Sequence, residues 1–270
     1  MKVDLLYAFG LKPERAIRYF ESKGMKITFD WHEMLDQAHE RAFTVAKAMK
    51  LDILQDLRDG VANVLENGGT FRDFRKELEP TLRAKGWWGV QEVMNPATGE
   101  LKMAQLGSAR RLELIYEQNI QTAYSAGRYR SQMDNVASRP FWEYVAVLDA
   151  RTRPSHAALN GQVFRADDSF WNSFYPPIDW RCRCRVRAHD DENMKEVGLN
   201  VESSAGKMGT REVSVGTDNE TATVATYRTV DPDTGKGMTV ATGAGFNYNP
   251  GKTDWQPDPA RYDHALRKYL

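Results

Sequence analysis

Along the first third of the chain, apolar residues return at steps of three and four. Ala16, Ile17 and Phe20 share one helical face. Pro13 suits the first turn before them, and Gly24 can close the helix after them. Asp30 followed by Glu33 has the form of a capping box. Beyond it, Ala38, Ala42, Val45, Met49, Ile53, Leu57, Val61 and Val64 keep the same period. That spacing predicts that Asp30 to Leu65 is mainly one long amphipathic helix. Asn67-Gly68-Gly69 stops it. Thr70 can cap a second helix carrying Phe71, Phe74 and Leu78, with a break near Gly86. Trp87-Trp88 reads as an anchor packed between helices, the alternative being a partner-facing patch. The turn Asn95-Pro96-Ala97-Thr98-Gly99, set between two short apolar pieces, predicts a hairpin or loop insertion. Ser108 opens a further helix through Leu112, Ile115, Asn119, Thr122, Ala123 and Ala126. It ends before Arg139-Pro140.

From Trp142 the period changes. Tyr144 to Leu148 reads as a buried strand, and Ser155 to Leu159 as a short helix ending at Asn160-Gly161. Val163-Phe164 reads as a second short strand. Arg181 to Arg187 alternates strictly, so it reads as a third. The stretches Glu212 to Val215 and Thr221 to Val230 are rich in Thr and Val, and Asp231 to Gly237 is a turn cluster before a strand at Met238 to Ala241. The segment Asn247 to Gly251 reads as extended. The predicted fold class is α+β: a helical N-terminal region over 1–140, a compact module with a small sheet over 141–190 that packs with the helix 108–135, and a strand-rich C-terminal extension over 191–270.

Composition narrows the function. The chain has 270 residues, 41% hydrophobic and 27% charged, with 37 basic residues against 37 acidic. A formal net charge of zero argues against a dedicated nucleic-acid binder but leaves room for a local basic face. No apolar run approaches a membrane span. The start Met1-Lys2-Val3-Asp4 lacks the basic region and long apolar core of a signal peptide, so a cytoplasmic origin is expected. Two cysteines make no disulfide scaffold. A bridge between Cys182 and Cys184 would close a very small, strained ring, which leaves reduced thiols or metal ligands.

Candidate chemistry gathers between Asp149 and Val186. If 181–187 is a strand, Cys182, Cys184 and Val186 face one way and Arg181, Arg183, Arg185 and Arg187 the other. Four like charges in a row need acidic partners, solvent or an anionic ligand. Asp149, Asp167 and Asp168 are the nearest carboxylates in sequence. The arginine face is read as structural ion pairs or a contact for a protein partner, with DNA contact as the alternative. For the thiols three readings stand together. They are simply buried; or they join His156 and a fourth ligand, Asp149 or His189, in a tetrahedral zinc site; or one is a nucleophile paired with His156 and activated by the arginines. No nucleophile elbow is visible. The zinc-deaminase pattern fails, because Ala157-Ala158 follow His156 and one residue separates the cysteines. His32-Glu33 does not open an H-E-x-x-H, since position 36 is Asp, and His32 and His39 read as solvated helix residues. Gly243-Ala244-Gly245 lacks the strand-to-helix setting of a nucleotide fingerprint, and there is no Walker loop.

The segment from Asp149 to Val186 resembles the phage Mu F-like family of minor head proteins, the phage head morphogenesis proteins. In order it carries Asp149-Ala150-Arg151-Thr152-Arg153-Pro154-Ser155-His156, Asn160-Gly161-Gln162-Val163-Phe164, Asp168-Ser169-Phe170-Trp171, Tyr175-Pro176-Pro177 and Trp180-Arg181-Cys182-Arg183-Cys184. Five spaced pieces agree within one module. The likeness extends to Lys12 through Phe20, Arg41 through Ala46, Lys85 through Gly89, Arg110 through Arg128, and Phe246 through Gly251. Ile178-Asp179 and Arg181 depart from the family's usual Asn-Gly and Asn. The resemblance implies a minor structural protein of a tailed-phage head, present in few copies and associated with the portal during procapsid assembly. Its implied partners are the portal protein and the major capsid or scaffold protein. Its implied location is the virion, after assembly in the host bacterial cytoplasm. Related modules occur fused to toxin domains, but the last eighty residues here carry no catalytic signature of their own. The alternative from another class is a metal-dependent or effector-type enzyme carried in the head, which would need an open metal position or a convergent nucleophile.

Overall fold

The computed structural model describes residues 12–252, except 37, 39, 40, 97, 217–219 and 233. The fold is α+β. The first helix, α1 (Glu14–Glu21), starts directly after Pro13, which stands at the cap and not in the first turn. It buries Ala16, Tyr19 and Phe20. Gly24 does not close it. Ser22 ends the helix, and Gly24 opens a two-residue strand, β1 (Gly24–Met25), which pairs in parallel with β2 (Ala42–Phe43).

The long helix expected from Asp30 to Leu65 is absent from the described part of its first half. The capping box between Asp30 and Glu33 forms, but on a single 3-10 turn at Trp31–Glu33. Asp36 takes a left-handed φ of 50° and Lys47 one of 62°, which no α-helix propagates, and the chain between them is extended in β2. Phe43, Val45 and Ala48 are buried, so the apolar spacing was a true core signal carried by a different backbone. The run Phe43-Thr44-Val45 has aromatic and β-branched side chains, which favour extended backbone. The Lys26 N–H donating to the Phe43 carbonyl and the Lys47 N–H to the Thr28 carbonyl hold it there. The helix proper, α2 (Leu51–Asn67), begins only after this loop and ends at Gly68, whose φ is 74°.

Next comes α3 (Phe71–Ala84), with Thr70 as its N-cap and the Asp73 carboxylate reaching back to the Thr70 N–H. Helices α2 and α3 touch at Gly60. A Cβ there would lie 2.6 Å from Leu78 Cδ1 and 3.1 Å from the Phe74 ring. Trp87 is buried under an antiparallel hairpin, β3 (Val90–Met94) with β4 (Leu101–Gln105). Its indole N–H donates to the Lys47 carbonyl at 2.9 Å, which pins the irregular loop to the helical layer.

The 26-residue helix α4 (Ala109–Asp134), capped by Ser108, links two hydrophobic cores. Leu112, Ile115, Ala123 and Ala126 belong to the first, with α1, α2 and α3. Tyr129 belongs to the second, with the module and the C-terminal strands. The module sheet has the order β7-β5-β6-β8, built from β5 (Phe141–Val145), β6 (Val163–Arg165), β7 (Arg185–His189) and β8 (Val201–Glu202). Strand β5 lies three residues earlier than the expected Tyr144 to Leu148. Leu148 is past its end and exposed. The short helix α5 spans Pro154–Ala157, and α6 spans Asp191–Val197. Strand β7 starts at Arg185 and not at Arg181, because Arg181 sits in the left-handed region at φ 58° and breaks the ladder. Three antiparallel strands, β9 (Met208–Val215), β10 (Glu220–Val230) and β11 (Gly237–Ala241), form a separate sheet that covers the module with Ala225, Tyr227 and Val240. Among the described residues no helix is long and apolar enough to cross a membrane.

Candidate functional site

Two backbone devices bring His156 to the thiols. Arg153-Pro154 starts α5 with proline in its first turn, and one turn later His156 is buried. Asn160 and Gly161 then return the chain to β6. The Asn160 side chain accepts from the Ala146 N–H at 2.9 Å, so α5 is held against the end of β5. The Trp180 to Cys184 segment reaches the same place from the other side. Although it is not a regular strand, its alternation survives: Cys182, Cys184 and Val186 are buried, and Arg181, Arg185 and Arg187 are exposed with Arg183 half-buried. Helix α4 secures the segment from below. Gln121 donates to the Cys184 carbonyl at 3.0 Å, and Gln132 donates to the Val186 carbonyl at 3.0 Å while accepting from the Tyr175 hydroxyl at 2.8 Å.

The ligand atoms of His156, Cys182 and Cys184 lie within 4.8 Å of one another, and all three residues are buried. His156 Nδ1 and Cys184 Sγ are 3.5 Å apart. A tetrahedral shell with Zn–S near 2.3 Å and Zn–N near 2.0–2.1 Å places sulfur and nitrogen about 3.5 Å apart. The same separation serves as a thiol–imidazole hydrogen bond. Both cysteines are free thiols. Burial, and the hydrogen bond it gives to Cys184, push the Cys182 thiol well up. The Cys184 thiol is lowered, first by the hydrogen bond from Cys182 and then by that from the Tyr144 hydroxyl, with the Val147 N–H and the Arg183 charge adding to it. One sulfur is thus prepared to carry charge, and its neighbour is its donor.

The other candidate ligands lie elsewhere. Asp149 is outside the cluster: Arg183 holds it bidentately, at 2.6 and 2.7 Å, and pulls its carboxyl well below the usual range. His189 is buried at the far end of β7, with one ring nitrogen 2.8 Å from Glu143 and the other on Asn193. His32 is not solvated on a helix. It sits on the 3-10 turn and pairs with Glu220 at 3.0 Å. His39 lies outside the described residues.

The arginine face is largely neutralised. Arg181 reaches Glu113 at 3.2 Å and Glu117 at 3.6 Å, Arg183 holds Asp149, and Arg187 lies 3.6 Å from Glu143. Asp167 and Asp168 are not their partners. Asp167 pairs with Arg165, and Asp168 caps the 3-10 turn at Ser169–Asn172 and accepts from the Ser204 N–H. Arg185 forms no ion pair among the described residues.

The residues that sequence reasoning missed are the glutamines of α4 and Tyr144. Tyr144 stands between Trp142 and Ala146 on the inward face of β5 and is fully buried. Its position in a strict in–out alternation was a readable sign that a hydroxyl enters the core. A cleft of about 880 Å³ lies between α4, the β2 loop and the Trp180 and Phe246 rings. Three of its cations are engaged within the fold: Lys47 with Asp30, Arg181 with α4, and Arg111 with the carbonyls of Gln105, Leu106 and Ala46. Burial also lowers Arg111 to about 10.

The module and the helices leading into it fall inside one family pattern. The model of the Phage Mu protein F like family matches residues 55–187. The chain is 45% identical over 258 residues to "Putative capsid assembly protein F" of Escherichia phage Mu, covering 96% of this chain and 58% of that protein. It is 44% identical over 246 residues to "Mu-like prophage FluMu F protein" of Haemophilus influenzae, covering 90% of this chain and 56% of that protein. The chain therefore belongs to the phage Mu F-like family. It spans less than three fifths of the length of these two relatives. No solved structure matches it at a significant level.

Proposed function

We propose that this chain is a minor structural protein of a tailed-phage head that acts in head assembly, in association with the portal, and ends in the virion. The observation that carries this reading is the identity of 45% over nearly the whole chain with the phage Mu protein described as a capsid assembly protein. The arginine face agrees with a structural role. Most of its charge is matched inside the fold, which favours a protein contact over the open cationic surface that phosphate binding needs. The test is co-purification of the tagged chain with the portal, major capsid and scaffold proteins of its phage, beside head assembly in a phage lacking the gene. Capture of the portal protein and aberrant heads are expected. No capture, together with normal heads, overturns the reading.

The same module suits a structural zinc ion held by His156, Cys182 and Cys184. Two thiols and an imidazole are the donors zinc prefers, and the 3.5 Å between His156 Nδ1 and Cys184 Sγ matches one tetrahedral edge. Native protein purified without chelator is expected to hold about one equivalent of zinc and to melt at a lower temperature once it is removed. Protein that takes up no zinc under reducing conditions leaves the thiols as buried core residues.

A further inference from the structure

Three donors leave a tetrahedral shell one short, and the sequence-level candidates for the fourth are committed elsewhere, Asp149 to Arg183 and His189 to Glu143 and Asn193. We propose that the phenol oxygen of Tyr144 is the fourth ligand, which makes the site a closed centre of one imidazole, two thiolates and one phenolate. The assignment rests on the zinc reading above and adds to it the identity of the last donor and the closure of the shell.

Placement comes first. Tyr144 is paired with Val186 across β5 and β7, two residues from Cys184. Its side chain is fully buried. Its hydroxyl has no oxygen or nitrogen partner among the described residues and lies against the sulfurs of Cys182 and Cys184, the weak acceptors it hydrogen-bonds. A buried hydroxyl left with only weak sulfur acceptors is poorly satisfied, and a native core rarely tolerates that without a reason. Here the oxygen faces the same two atoms that a metal would bind.

Charge is the second consideration. When a divalent ion enters, two thiols and the phenol lose their protons and His156 binds as neutral imidazole. Three anionic donors and one neutral donor give the same charge count as structural zinc centres built from three cysteines and one histidine. The consequence is functional. A closed shell has no position for a catalytic water, so the centre ties β5, α5 and the Trp180 to Cys184 segment together and performs no hydrolysis.

The experiment uses the full chain, stripped of metal under reducing conditions and titrated with zinc and with cobalt(II). Cobalt should give thiolate charge-transfer bands and the intense visible absorption of a tetrahedral ion. Tyr144→Phe should weaken zinc binding about tenfold or more, the scale of a lost centre-supporting group, and should reduce the tetrahedral absorption. In the metal-free state the same variant should melt close to the wild-type temperature, because it removes only a hydroxyl held by weak sulfur acceptors. A purely structural tyrosine would not separate the two states in this way. Wild-type affinity and spectrum in Tyr144→Phe would overturn the tyrosine ligand while leaving the three-donor site standing. A wild-type chain that takes up neither ion overturns both.

Discussion

The fully buried positions of the helical core include Leu54, Leu57, Val61, Leu82, Leu112 and Ala123, whereas those of the second core, in the module and the sheet that covers it, include Trp142, Tyr144, Phe164, Phe170, Phe174 and Tyr227 beside the aliphatic Leu159, Ile178 and Val240. The first set packs as aliphatic ridges between helices. The second packs as rings: Phe170 stacks on Phe164 at 4.2 Å and on Phe174 at 5.0 Å, and meets Trp171 and Tyr227 edge-on. Aliphatic side chains fill space but offer no polar atoms. Rings of Trp and Tyr bring N–H and O–H groups inside, and the module buries His156, His189 and both thiols with them. The helical core gives the molecule its shape, and the ring core holds polar groups at fixed positions.

The contrast can be broken most severely in the ring core. Phe170→Ala removes a ring that touches four others, and truncations of buried aromatics cost about 3–5 kcal/mol. Urea denaturation should show a loss in that range, larger than that of Leu57→Ala. Equal losses would mean that the two cores differ in chemistry but not in how closely they are packed. A smaller effect tests the helical side. Gly60→Ala gains up to about 1 kcal/mol of helix propensity, but the new methyl meets Leu78 and Phe74. Overpacking costs about 1–3 kcal/mol, so a net loss near 1 kcal/mol is expected. A net gain would show that α2 and α3 can slide apart where the rings of the module cannot.

The same contrast explains what was readable in the sequence. Helices α2, α3 and α4 declared themselves through caps at Thr70 and Ser108, the Gly68 stop, and a period fixed by local geometry. The stretch from Asp30 to Lys50 misled because apolar spacing of three or four also arises when an irregular loop dips repeatedly into a core. Only long-range bonds, such as that from Trp87 to the Lys47 carbonyl, decide between the two. In the module, alternation correctly separated cysteines from arginines even where Arg181 breaks the strand. It could not reveal which carboxylates the arginines meet. Glu113 and Glu117 lie on α4, more than sixty residues away in sequence, and only the docking of that helix brings them in. The fourth candidate ligand was hidden for the same reason: Asp149 is near in sequence, while Tyr144 is near in the sheet.

The smallest expected effect, and the one that separates the outer face of the module from its core, is Arg183→Gln. Arg183 and Asp149 are both more than a third exposed, and solvent-exposed pairs add little stability at neutral pH. Denaturation should therefore scarcely register the change, in contrast to Phe170→Ala in the core of the same module. The titration of Asp149 should register it clearly. The hydrogen bonds from Arg183 hold this carboxyl below its ordinary value, so the stability it contributes is complete above the unfolded carboxylate range near pH 4 and is lost as pH falls through the lowered folded value. Without the guanidinium, the carboxyl resonance of Asp149 should titrate at higher pH, back toward the ordinary range, while the acid side of the stability profile flattens only by the same small amount that is lost at neutral pH. Arg185→Gln, at a position with no ion pair among the described residues, should leave that resonance where it was. If the Arg183 variant keeps the low titration, the pair is not what depresses Asp149. If instead the Arg185 variant folds normally while heads fail to assemble, the outer face meets a partner through the arginine whose charge the described fold leaves unmatched.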